Sequence, residues 1–198
     1  MSGVKIQLSP KEIEMASDPG LILTKNRIME GVMELFGEAA GYATAYAQSH
    51  KSRLPPEVFA HPPKISRGEQ YRHFPWMMLD YPRVFDPPAT LAIRHFFWWG
   101  HHFSVSLQVS GIFKEMVVDR KGLWPDDAYI CVHPSPWEHH FGTDNYTLLK
   151  ELSTQELDEM LQQKDFLKLA LSLPVSQWIE APAFLQRCYR SWMDLLMR

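Results

Sequence analysis

Two stretches concentrate side chains that can do chemistry. The first, "HFFWWGHHF" at 95–103, sets His95, His101 and His102 among Phe96, Phe97, Trp98, Trp99 and Phe103. Imidazole carries protons near neutral pH, and aromatic rings build apolar walls. Together they outline a pocket whose polar contact points are histidines. Arg67, Arg72, Arg83 and Arg94 lie nearby in the chain. A guanidinium among aromatics can grip a carboxylate, a phosphate or a stacked ring. The expected ligand contacts are His95, Trp99, His101, Phe103, Arg72 and Arg94. The plainer alternative makes the inward histidines core residues with satisfied hydrogen bonds.

The second stretch is "VHPSPWEHHFGTDN" at 132–145, a loop carrying His133, Glu138, His139 and His140. Imidazoles with one carboxylate suit zinc or iron, so these four form a candidate metal set, with surface or capping roles as the competing reading. Their spacing departs from H-E-x-x-H and from cysteine-based sites. On a strand, Cys131 and His133 would share a face, which permits a thiol–imidazole pair, although a buried inert thiol is the commoner case. The chain contains no G-x-S-x-G elbow, P-loop, Rossmann glycine pattern or C-x-x-C-H. A histidine-ligated haem in an aromatic pocket stays open. No cofactor is assigned.

Composition bounds what can hold these groups. The chain has 198 residues, 45% of them hydrophobic and 22% charged, as in one ordinary globular domain. Its net charge of −3 leaves no basic field for nucleic acid. Two cysteines, Cys131 and Cys188, are too few for a disulfide framework and point to reduced thiols and a cytoplasmic protein. The N-terminus "MSGVKIQLSPKEIEM" has no apolar signal core, and no apolar run is long enough to span a membrane.

Three regions must position the candidate residues. Over 9–50, "SPKE" reads as a capping box opening a short helix, and "SDPG" caps a long one. Its apolar stripe is Ile28, Val32, Leu35, Ala39, Ala43 and Tyr46, with Gly31, Gly37 and Gly41 expected at close approaches to a neighbouring element. The proline-rich segment 53–68 reads as an ordered loop pinned by Val58, Phe59 and Ile65. Over 69–133 the pattern is sheet, with strands expected at 70–82 and 126–133; "IFKEMVVDRKG" is ambiguous. Over 146–198 it returns to helix: Ser153 with Glu156 forms a second capping box, "DFLKLALSL" reads as a short helix, and Leu185, Cys188, Tyr189, Trp192 and Leu195 stripe the last one.

Parity organises the aromatic stretch. Every odd position from Leu91 to Val109 is apolar or histidine, and every even one from His102 to Gln108 is polar. This period of two belongs to a strand with its odd face inward and its even face solvated or lining a cavity. Nineteen extended residues would span about 63 Å, against a domain diameter of roughly 42 Å. The chain must therefore turn back or bend at Gly100. A three-residue loop of Trp98, Trp99 and Gly100 would make His95 and His101 neighbours on one face; a bend would separate them by about 20 Å.

The expected architecture is a single α+β domain over 1–198. A mainly antiparallel sheet is packed by the long N-terminal helix and a C-terminal helical group. Three functions fit it. The first is a small-ligand or partner-binding domain with an aromatic, histidine-lined pocket. The second is a metal-assisted hydrolase or oxygenase, and the third a structural subunit, which could be homo-oligomeric.

Overall fold

The computed structural model describes residues 7–198. Residues 1–6, on which the expectation about an N-terminal signal core partly rests, lie outside the described residues. Five α-helices and seven strands form an α+β fold around one antiparallel sheet. Helix α1 (Pro10–Ser17) opens with the Ser9–Glu12 capping box, and α2 (Pro19–Ser49) is capped by Asp18. Strands β1 (Lys64–Tyr71), β2 (Phe74–Val84), β3 (Leu91–Trp98) and β4 (His102–Ser110) follow as a meander. Then come α3 (Ile112–Val118), β5 (Tyr129–Cys131), β6 (Tyr146–Leu148), α4 (Thr154–Gln163), β7 (Phe166–Pro174) and α5 (Ala181–Asp194). Strand order is β1-β2-β3-β4-β7-β5-β6.

Chain reversal at Gly100 is a hairpin. Trp98 pairs with His102 and Phe97 with Phe103, leaving Trp99, Gly100 and His101 as the loop. This is one residue later than the expected loop. Gly100 takes φ +74°, a left-handed value that its missing side chain permits. Three loop residues preserve parity, so Leu91, Ile93, His95 and Phe97 share a face with Phe103, Val105, Leu107 and Val109. That face is buried against α2 and α5. Trp192 Nε1 donates to Val105 O at 3.2 Å, and Tyr189 Oη to Ala43 O at 3.3 Å, tying both helices to the core.

Several local expectations change. Residues 166–174 are a strand, not a helix. Leu167, Leu169, Leu171 and Leu173 alternate onto the helix-covered face, and the run pairs with β4 along its whole length. Strand pairing outweighs the helical reading of the same leucines. Residues 70–82 are not one strand but part of a hairpin, turning at Arg72 and His73. The ambiguous 112–118 segment is helix α3, and the strand expected over 126–133 shortens to 129–131. In α2 the buried stripe is Met29, Val32, Phe36, Ala39, Ala43 and Ala47, and no element closes on Gly37 or Gly41.

The largest difference concerns the even face. Ser104, Ser106 and Gln108 are buried, not solvated. Residues 132–145 cross that face as a strap. Leu169→Ala on β7 should cost about 2–5 kcal/mol in denaturant unfolding, as a leucine in a packed core does. A loss under about 1 kcal/mol would instead fit a surface helix over 166–174.

Candidate functional site

The even face of β2, β3, β4 and β7 carries a buried line of polar groups. Asp80 on β2 pairs in register with Arg94 on β3. Arg94 grips it bidentately, Nε to Oδ1 at 2.7 Å and Nη2 to Oδ2 at 3.0 Å. The third guanidinium nitrogen reaches the strap, Nη1 to His139 Nε2 at 3.2 Å. On the other side of that ring, Nδ1 lies 3.4 Å from Lys168 Nζ of β7. Lys168 is 1% exposed and donates to two strap carbonyls, Pro136 O at 2.8 Å and Glu138 O at 2.6 Å. Burial, with Lys168 and Arg94 on either side, pushes His139 well below its ordinary pKa.

Tyr71 pins the strap from β1. Its hydroxyl accepts the backbone N–H of His139 at 2.7 Å and of His140 at 3.2 Å, and donates to Glu138 Oε2 at 3.0 Å. Lys164 adds bonds to Cys131 O and His133 O at 2.9 and 2.7 Å. The strap is therefore held through its backbone by two lysines and a tyrosine.

A charged group gathers at the β1–β2 turn. His140 Nε2 lies 2.9 Å from Asp144 and 3.1 Å from Arg72 Nη2, while Nδ1 lies 3.3 Å from Glu138. The His140 bond holds the Asp144 carboxyl below its usual range. Arg72 and His73 occupy this two-residue turn at φ 47° and 71°, positions that favour glycine and asparagine. Two such residues store strain of order 1–3 kcal/mol each, offset here by the contacts that Arg72 makes.

Beside the strap lies a groove of about 430 Å³ lined by Gly68, Tyr71, Trp76, Met78, Phe96, Trp137 and His139, with Glu69 and Gln70 also on its wall. Trp76 lies flat across Gly68; a Cβ there would stand 2.7 Å from the indole. Trp76 and Phe96 stack at 6.2 Å and 28°, and Phe96 continues to His139 at 4.7 Å and 35°. Trp137 is half exposed at the rim.

The expected ligand contacts separate. His95 and Phe103 are buried on the helix face, where Trp99 also packs. His95 sits between Phe36 and Tyr189, and burial pushes it down to about 4. His101 is in the exposed turn, stacked on Trp98 at 3.6 Å. The neighbour relation expected of His95 and His101 is thus corrected: Gly100 and His101 both belong to the loop, and the two rings point to opposite faces. Arg94 and Arg72 stand at the strap.

The metal set does not converge either. His133 Nδ1 accepts from Ser135 N at 3.0 Å within its own loop. His139 turns inward between the side-chain nitrogens of Arg94 and Lys168, and the carboxylates around His140 lie against opposite ring nitrogens. Among the described residues no group of three or more His, Cys, Asp or Glu side chains is placed to hold a metal ion. Comparison with known protein families, curated proteins and solved structures found no match.

Sequence reasoning missed Tyr71, Trp76, Phe96, Trp137, Asp80 and Lys168. One signal was available: Lys168 is the single charge inside the apolar run "FLKLALSL". Replacing Asp80 by Asn should cost about 3–5 kcal/mol in equilibrium unfolding, because it leaves a buried guanidinium unpaired. The double replacement Asp80→Leu with Arg94→Met should recover part of that loss; a single variant as stable as the parent would contradict the buried pair.

Proposed function

We propose that the protein binds a small molecule with a flat, uncharged ring in the groove between β1, β2, β3 and the strap. One observation carries this reading: an aromatic wall of Tyr71, Trp76, Phe96 and Trp137 continuous with the His139 ring. A volume of about 430 Å³ falls within the usual range for ligand sites. The charged groups bordering it are engaged elsewhere: Glu69 pairs with Lys25 at 2.5 Å, and Arg94 with Asp80. What remains open to a ligand is ring surface, which favours stacking over ion pairing. The pocket reading from the sequence is kept in kind and moved in place, from His95 and His101 to the opposite face.

A cytoplasmic setting belongs to the same proposal. It is supported by Cys131 and Cys188, both buried free thiols, and by the absence among the described residues of a helix long and apolar enough to cross a membrane.

Titration with the neutral aromatic probe N-phenylnaphthylamine tests the site. Saturable binding is expected, weakened about tenfold or more by Trp76→Ala and by Gly68→Val, which drives a side chain into the indole's position. Trp178→Ala, on the helix face beside Phe97 and Phe103, should leave affinity unchanged. Absence of saturable binding, or equal loss in all three variants, would overturn the reading.

A further inference from the structure

The buried line Arg94–His139–Lys168 poses a counting problem. A neutral imidazole has one N–H and one lone pair. Both of its nitrogens here face a nitrogen donor, Arg94 Nη1 at 3.2 Å and Lys168 Nζ at 3.4 Å. Guanidinium cannot give up its proton in a protein, so it takes the lone pair at Nε2. His139 must then carry its hydrogen on Nδ1, aimed at Lys168. An ammonium would meet that hydrogen with another. An uncharged amine meets it with a lone pair, and its two remaining hydrogens match the two carbonyls already in place, Pro136 O and Glu138 O. Every hydrogen on His139 Nδ1 and Lys168 Nζ then has an acceptor.

We infer that Lys168 is held as an uncharged amine near neutral pH, and that this makes the strap a one-proton latch over the groove. The strap stays down while His139 and Lys168 share no extra proton, and it lifts when acid supplies one. The consequence for ligand rests on the groove reading above, because Trp137 and His139 are both strap residues and groove walls.

The surroundings of Lys168 agree. From β3 it faces Arg94, whose charge Asp80 of β2 already neutralises. From β4, Gln108 pairs opposite it and bears no charge; His102 is pushed down to about 4 by burial and by His101. Burial raises Cys131 on β5 and Tyr146 on β6, so both stay protonated. In the strap, Glu138 accepts from Tyr71 and faces His140, and Lys164 before β7 is bound to backbone carbonyls. Lys168 forms no ion pair among the described residues. Burial pushes its amine down to about 7.

Unfolding returns this lysine to its ordinary range, so the unfolded chain binds a proton that the folded chain refuses. Stability therefore rises with pH above about 7, and it falls on acidification as His139 is forced to charge. Side-chain heteronuclear NMR of the full chain, with lysine Nζ labelled, reads the state directly. Lys168 should give a neutral-amine resonance at pH 8 and become an ammonium as the pH falls through neutrality. An ammonium signal persisting to pH 9 would overturn the inference. Between pH 7 and 8.5 the folding constant of the parent should rise by up to about tenfold per pH unit more than that of Lys168→Met; parallel slopes would count against the latch. N-phenylnaphthylamine affinity should weaken from pH 8 to 6 in the parent and hold steady in the variant. A neutral amine with no probe binding would sustain the latch and sink the groove; probe binding beside a persistent ammonium would do the reverse.

Discussion

The contact between Arg94 and Asp80 is the constraint on which the site depends. A bidentate guanidinium–carboxylate pair, Nε at 2.7 Å and Nη2 at 3.0 Å, lies in the middle of the sheet where both residues are buried. Burying either charge alone costs several kcal/mol, so each residue requires the other. The third nitrogen of Arg94 is left pointing out of the sheet and needs an acceptor. His139 supplies it, and with it comes the strap. The strap's other anchors, Tyr71 and Lys168, flank that point on β1 and β7.

The two faces of the sheet therefore do different work. Helices α2 and α5 cover the odd face with apolar side chains, and His95 is buried there between Phe36 and Tyr189. The even face is closed by a loop, whose backbone carries carbonyls and N–H groups that need partners. Those partners come from Lys164, Lys168 and Tyr71. Between the strap and β1 the seal is incomplete. Gly68 lets Trp76 lie flat, and a ring-lined groove remains.

Much of the fold was legible in residue order. Both capping boxes, the long α2 helix, the strand period around Gly100 and its odd inward face follow from local rules that do not depend on distant partners. What failed was set at a distance. "DFLKLALSL" carries leucines at spacings that satisfy helix and strand alike, and only pairing with β4 decides between them. The turn register at Gly100 moved by one residue, which took His101 off the inward face. The polar even positions read as solvated or cavity-lining because nothing local announces a covering strap. The loop 132–145 was recognised as chemically rich, but its partners come from Tyr71, Arg94 and Lys168, 29 or more positions away in the chain from His139.

Native-state hydrogen exchange at the backbone amides of His139 and His140 tests the account most directly. Both donate to the Tyr71 hydroxyl beneath the strap. If the buried polar line holds the strap down, these amides should exchange about a thousandfold or more slowly than the exposed turn amide of Gly100. Exchange of all three at a common rate would mean that the even face is open and that its charges are not matched by the strap.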